Sequence, residues 1–292
     1  MVRIIDTSIA LAAFASCAAA SVTGQPQSGP CGTLANVVKR NAPRDAGDIK
    51  VRQAASNGTN STATLDLYYH VMLAEGNHTT DFITDELLKH QTTVLNEGFV
   101  PMGYQFRLAE TTWSNNASWF YNATQQSRQE TDMKTALRKG DKAALNVYIV
   151  GLWDASISAW STVPLELDFN IPADGVVLHN SVLPGGSNTV WTLGKTLIHE
   201  VGHWVGLYHT FDGNCVYNDD YVDDTPLEAT PAQSWDALGG CPVGRDSCPD
   251  APGLDPIHNY MDYTSDECRY EFTPGQIAYA HNEMKTHRGV VV

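Results

Sequence analysis

The chain predicts an α+β fold: a mixed sheet with helices packed against it, followed by an irregular, disulfide-linked lower part. Three observations point there. Strand-like and helix-like segments alternate up to about residue 206, the pattern of helices laid on a sheet. From Thr210 to Phe272 the composition shifts to Asp, Pro, Gly and Cys, residues that make turns and leave a chain dependent on cross-links or ions. Four of the six cysteines, Cys215, Cys241, Cys248 and Cys268, fall inside that second stretch.

The elements follow in order. Residues 1–20, MVRIIDTSIALAAFASCAAA, place Arg3 ahead of an apolar run from Ile9 that ends in Ala18, Ala19 and Ala20, the pattern of a secretory signal peptide cleaved near Ala20. Residues 21–63 are rich in Ser, Gly, Asn, Pro and Thr without periodicity and read as a leader or linker. A folded domain is expected over 64–292, its upper part ending at 206 and its lower part starting at 207. It opens on LDLYYHVM (65–72), a β-type run. Ile83, Leu87, Leu88, Gln91, Val94 and Leu95 then fall at helical spacing, with Gly98 as a stop signal. YQFRLAETTW (104–113) alternates as a strand, RQETDMKTALRKG (128–140) reads as a helix, and ALNVYIVGLW (144–153) and GVVLHNSVL (175–183) read as apolar strands. A last helix is expected in FTPGQIAYAHNEMKTHR, with Thr273 at the N-cap and Pro274 at the first helical position.

Composition narrows the function. A chain of 292 residues with 42% hydrophobic content can bury a sizeable core. A formal charge of −15 and the lack of any Lys/Arg cluster exclude a nucleic-acid partner, and no segment beyond the signal is apolar for long enough to span a membrane. Five N-x-S/T sequons, at Asn57, Asn60, Asn77, Asn116 and Asn122, agree with export and glycosylation. The four clustered cysteines imply two disulfides with three possible connectivities; a cysteine-rich zinc site is disfavoured because no C-x2-C knuckle is present. Cys17 leaves with the signal, and Cys31 stands alone in the leader.

The segment HEVGHWVGLYHTF (199–211) carries the chemistry. His199 and His203, four apart on a helix, share a face and can meet one ion. Glu200 lies about 100° around the helix from His199, beside the metal and not on it, the position of a general base. A helix that simply continued would carry His209 roughly 9 Å beyond His203 on another face. Gly206 tolerates positive φ and can end the helix, so that His209 swings back as a third ligand. Three protein ligands leave a fourth position for water, the arrangement of a catalytic zinc site. Bare HExxH occurs often by chance, but five fixed positions in H-E-x-x-H-x-x-G-x-x-H reduce that to about one in ten thousand.

The extended motif is the metzincin signature, which includes a downstream Met-turn. The words HEVGHWVGLYHTF, DYVDDTP, GCPVGRDSC, DPIHNYMDY and EFTPGQ together resemble the pappalysin family, especially its secreted fungal and microbial metalloproteases, over about residues 64–292. The resemblance implies a metzincin-like fold with an upper mixed-sheet subdomain, the active-site helix at its base and an irregular lower subdomain. It implies Met261 as a hydrophobic cushion below the zinc and Tyr263 as a residue whose hydroxyl stabilises the tetrahedral intermediate. It supports a Cys241–Cys268 disulfide, which leaves Cys215 with Cys248. Asp219, Asp220, Asp223 and Asp224, with Thr225, crowd one loop; their mutual repulsion, together with calcium sites in this part of the family, makes Ca²⁺ a candidate structural ion there.

The function expected is therefore a secreted, monomeric zinc endopeptidase acting on extracellular proteins or peptides. Zinc activates water, Glu200 takes its proton and returns it to the leaving amine, and zinc and Tyr263 stabilise the oxyanion. An edge strand near 175–183 is expected to align the substrate by β-augmentation. Cys31, in GPCGT, is placed for its thiolate to take the open zinc position and hold a zymogen inactive, until cleavage after Arg40, Arg44 or Arg52 removes the leader. The competing readings are a non-catalytic zinc-binding protein, against which Glu200 and Tyr263 speak, and a hydrolase of non-peptide amides, which predicts a small closed pocket.

Overall fold

The computed structural model describes residues 31–33, 61–76, 78, 80–152, 157–233 and 240–292. A five-stranded sheet in the order β2-β1-β3-β5-β4 forms the upper part. Its strands are β1 (Ala63–Leu73), β2 (Tyr104–Asn115), β3 (Leu145–Val150), β4 (Ala159–Ser161) and β5 (Val176–His179). All neighbours are parallel except β4, which runs antiparallel to β5. The central strand β3, LNVYIV, is buried at every position, as a strand covered on both faces must be. The expectation that 175–183 forms the substrate-facing edge is corrected: β5 is covered on both sides by β3 and β4, and the edge is β4. Three residues are too few to show a period, which is why β4 was not visible in the sequence.

Helix α1 (Asp85–Phe99) crosses between β1 and β2. Thr84 caps it, accepting from Leu87 N, and Asp85 and Glu86 stand in its first turn, where negative charge meets the positive end of the helix dipole. Gly98 is not its stop. The helix runs through it and ends where Pro101 and Gly103 (φ +69°) follow. A Cβ on Gly98 would lie 2.7 Å from Ile198 Cδ1, so the glycine serves close approach of another helix. Helices α2 (Ala117–Asn122), α3 (Arg128–Leu137) and α4 (Pro164–Leu167) cover the sheet's other side and rim. Helix α3 stops three residues before the expected Gly140.

Helix α5 (Lys195–Trp204) lies under the sheet, and α6 (Pro274–Glu283) continues as a π-helical turn, Met284–Arg288. Thr273 accepts from Gln276 N and Gln276 reaches back to Thr273 N, a capping box that accounts for the predicted start of α6. Between α5 and α6 the described chain is irregular, with turns, bends and isolated β-bridges such as Asn259 to Glu271. Ala280, Met284 and Val290 join the same apolar cluster as Leu67, Val147, Leu178 and Val201, so the end of the chain returns to the upper core. The disulfides are Cys215–Cys248 and Cys241–Cys268, the pairing the resemblance implies. Among the described residues no helix is long and apolar enough to cross a membrane. The signal segment, Asn57, Asn60, Asn77 and the three cleavage points lie outside the described residues.

Candidate active site

Helix α5 is held on all sides. Every residue from Thr196 to Trp204 is buried, and Gln91 on α1 donates to the carbonyl of Gly194, which begins the helix at φ +83°. His199 and His203 point to the same place, their rings 4.9 Å apart. His199 Nδ1 lies 2.7 Å from the Tyr260 carbonyl and His203 Nδ1 2.8 Å from that of Leu207. A carbonyl can only accept, so each Nδ1 carries the proton and each Nε2 keeps its lone pair.

The chain reverses after α5 as the sequence requires. Gly206 N bonds to His203 O and Leu207 N to Gly202 O, with Gly206 at φ +113°, a left-handed exit closed to most side chains. His209 thereby returns, its Nε2 3.1 Å from His203 Nε2. Asp212 orients it: one carboxylate oxygen accepts from His209 N at 3.2 Å and the other lies 3.5 Å from Nδ1. Cys31 Sγ lies 3.4 Å from His203 Nε2. The ligand atoms of Cys31, His199, His203 and His209 are all within 4.8 Å of one another.

This donor set fits a zinc ion. His199 Nε2 is buried with no hydrogen-bond partner, a costly state for a polar atom unless something else occupies it. Burial, with the neighbouring imidazoles, holds His199 and His203 well below the usual histidine range, so both are neutral and ready to ligate. Burial also pushes the Glu200 carboxyl up to about 8, and its Oε1 has no partner. Glu200 sits beside the cluster without belonging to it, and a cation held by the histidines would favour its ionised form.

The turn Asn259–Tyr263 supplies the floor. Met261 N and the Gln276 amide both bond to the Asn259 side chain, fixing the turn against α6. Met261 is fully buried and packs under α5. The Tyr263 hydroxyl lies 3.3 Å from His209 Nε2. Burial, with Cys31 and Glu200 nearby, holds its phenol well above the usual range, so it remains a hydrogen-bond donor.

The acidic loop has hydrogen-bond partners of its own. Asp220 accepts from Val222 N and the Thr225 hydroxyl, and Asp224 accepts from the Thr273 hydroxyl and Gly275 N at the start of α6. Among the described residues no carboxylate of Asp219, Asp220, Asp223 or Asp224 joins a group of three or more metal-capable side chains. Of the two described sequons, Asn122 is exposed, while Asn116 is half-buried and caps α2. Four participants were not singled out in the sequence. Thr33 donates to Glu200 Oε2 at 3.0 Å, Asp212 orients His209, Gly202 admits Met261, and the Tyr260 carbonyl orients His199. Only Asp212, three residues beyond His209, offered a spacing signal.

Comparison with known proteins agrees with this geometry. A model of the peptidase M43 family, described as pregnancy-associated plasma protein-A, matches residues 130–285. An extracellular metalloprotease of Pyricularia oryzae is 44% identical over 231 residues, covering 77% of this chain and 78% of its own. Another, of Colletotrichum graminicola, is 39% identical over 279 residues, covering 91% and 93%. A promirolysin mutant of Tannerella forsythia superposes with a TM-score of 0.66 at 23% identity, covering 88% of this chain and 94% of that one, which shows a shared fold. The extended histidine motif, the turn beneath it and these matches together place the chain in the peptidase M43 (pappalysin) family of metalloproteases.

Proposed function

We propose that this metalloprotease is a secreted zinc endopeptidase in which His199, His203 and His209 hold the metal and Glu200 is the general base. The observation that carries the reading is the convergence of the histidines on one point, with His199 Nε2 buried and unpartnered. A bound zinc ion supplies a Lewis acid that acidifies water and polarises a carbonyl. Glu200, fully buried, takes a proton from the attacking water and delivers it to the leaving amine. Tyr263, protonated across the working range, donates toward the carbonyl oxygen as charge develops there. Removal of the leader frees the outer backbone groups of edge strand β4, which are bonded to Gly32 and Thr33 in the full chain, and an extended peptide can be laid there.

In the precursor, Cys31 completes a closed three-histidine, one-thiolate donor set and so removes the open position that catalysis needs. Leaving that position open requires removal of the leader. Calcium at Asp219–Thr225 draws its support from the crowding of carboxylates, and a rise in Tm on adding Ca²⁺ to calcium-depleted, zinc-loaded protein tests it.

Casein hydrolysis and zinc content, measured for the processed protein and for Glu200→Ala, with and without phenanthroline, test the main reading. The parent is expected to cleave and to be stopped by the chelator, while the variant keeps zinc and loses activity by about 10³-fold or more. A zinc-loaded parent that cleaves neither casein nor a random peptide mixture sinks it.

A further inference from the structure

The described leader residues meet more of the site than a thiol ligand requires. Gly32 N donates to the Ala159 carbonyl at 2.8 Å, and Ser161 N donates to Thr33 Oγ1 at 2.9 Å, so Cys31–Thr33 lies along the outer side of β4, bridged parallel to it at Ala159. The Gln125 amide donates to the Gly32 carbonyl from the other side. A Cβ on Gly32 would come within 2.8 Å of Ile157 Cγ2 and 3.1 Å of Gln125 Oε1, so the middle residue must be small for the chain to settle this deeply. From that seat two further bonds reach the catalytic groups. Tyr263 donates to the Cys31 carbonyl at 3.2 Å, and the Thr33 hydroxyl donates to Glu200 Oε2 at 3.0 Å.

The Thr33 hydroxyl is fully committed. It has one proton and can accept from its lone pairs; it accepts from Ser161 N and gives its proton to Glu200. The β4 bond fixes where the oxygen sits, and the single proton then has one acceptor to serve. A carboxylate held this way has on Oε2 a donor that is not the attacking water. The leader thus meets the histidines and Tyr263 through Cys31, and the base through both the Thr33 hydroxyl and the Cys31 thiol.

We propose that Thr33 is a second latch of the precursor, engaging the base Glu200 through a bond of its own that does not pass through the Cys31 thiol. Losing the thiol alone then leaves the base held, and full release needs departure of the chain from β4. The inference rests on the reading of Glu200 as base and the histidines as zinc ligands. It differs from a merely structural role for Thr33, in which the hydroxyl only seats the leader on β4.

The test uses the full-length precursor, zinc-loaded, with cleavage of a short fluorogenic peptide recorded before the leader is lost, as checked by mass spectrometry. Cys31→Ala is expected to stay at about a tenth or less of the processed enzyme's rate, and adding Thr33→Val to raise it about tenfold or more, the effect of losing one hydrogen bond to a charged group. Thr33→Ser in the same background, which keeps the hydroxyl, is expected to restore latency. In the cobalt-loaded precursor, Thr33→Val alone is expected to keep the thiolate-to-metal charge-transfer band, because Cys31 remains seated. Loss of that band, or a Cys31→Ala precursor as active as the processed enzyme, or no gain from Thr33→Val in that background, overturns the second latch. If instead the processed, zinc-loaded enzyme is itself inactive, the parent reading falls and takes the latch with it.

Discussion

The sulfur of Met261 occupies the place where a side chain on Gly202 would begin: a Cβ built there would lie 2.4 Å from Sδ. Gly202 precedes the second zinc-site histidine on α5, and Met261 comes from a turn 59 residues later. Their contact sets how closely the turn lies under the histidines. Gly202→Ala must therefore push the turn away or bend the helix. Overpacking of this kind costs about 1–3 kcal/mol. Thermal unfolding is expected to show a lowered Tm, and zinc titration a weaker affinity, although alanine is the better helix former. An unchanged Tm and zinc affinity would mean that the turn does not support the site.

A second relationship fixes the end of α5. Asp174 accepts from the two terminal Arg288 guanidinium nitrogens, at 2.8 and 3.0 Å, and from Trp204 Nε1 at 3.1 Å; Arg288 also stacks 3.7 Å from the Trp204 ring. Asp174 and Arg288 are both fully enclosed. Burial opposes ionisation of Asp174, but Arg288 and Arg138 outweigh it and hold the carboxyl below its ordinary value near 3.8. A folded-state pKa below the unfolded one contributes stability that is present above the unfolded value and lost as pH falls through the folded value. Asp174→Asn is expected to cost about 3–5 kcal/mol near neutrality, since it leaves buried guanidinium charge uncompensated. Its stability is also expected to fall less steeply than the parent's below pH 4. Denaturant unfolding at a series of pH values checks both; parallel acid limbs would remove Asp174 from the account.

The site was legible in the sequence wherever chemistry and local geometry coincide. His199, Glu200 and His203 are fixed by helical spacing, and Gly206 announces the reversal that returns His209, because few other residues take its φ of +113°. The longer strands and helices showed their periods. What stayed hidden depends on contacts distant in sequence: the Gly98–Ile198 approach mistaken for a helix stop, the three-residue edge strand β4, and Thr33 lying 167 residues from Glu200. The hydrogen-bond partners of the acidic loop were equally out of reach. Spacing shows that carboxylates are near one another, but not that Asp224 receives the Thr273 hydroxyl and Gly275 N.

In the proposed reaction Tyr263 acts on charge that develops at the carbonyl oxygen. Its hydroxyl, 3.3 Å from His209 Nε2 and bonded to the Cys31 carbonyl in the precursor, already donates to a carbonyl oxygen lying over the site. Tyr263→Phe in the processed enzyme is expected to lower kcat about a hundredfold with little change in KM, since the bond strengthens only as the oxygen gains charge. Zinc content is expected to stay at the parent's level. Steady-state kinetics on one peptide decide it: a rise in KM with kcat intact would make Tyr263 a substrate-binding residue.

The two disulfides separate stability from activity. They close loops of similar length, with sequence separations of 27 for Cys241–Cys268 and 33 for Cys215–Cys248, so chain entropy gives each about 3.6 kcal/mol. Their surroundings differ. Cys268 is buried, and its carbonyl accepts from His258, three residues before Met261; Cys215 lies exposed on the loop after the third histidine. Replacing Cys241 and Cys268 together by serine is expected to lower Tm and also to reduce kcat and zinc retention, because the turn carrying Met261 and Tyr263 loses its anchor. The same change at Cys215 and Cys248 is expected to lower Tm by a similar amount while the folded enzyme keeps most of its rate. Melting curves paired with rates measured well below each Tm make the comparison, and equal activity losses in the two variants would mean that the turn is held by its hydrogen bonds to Asn259 and Gln276 alone.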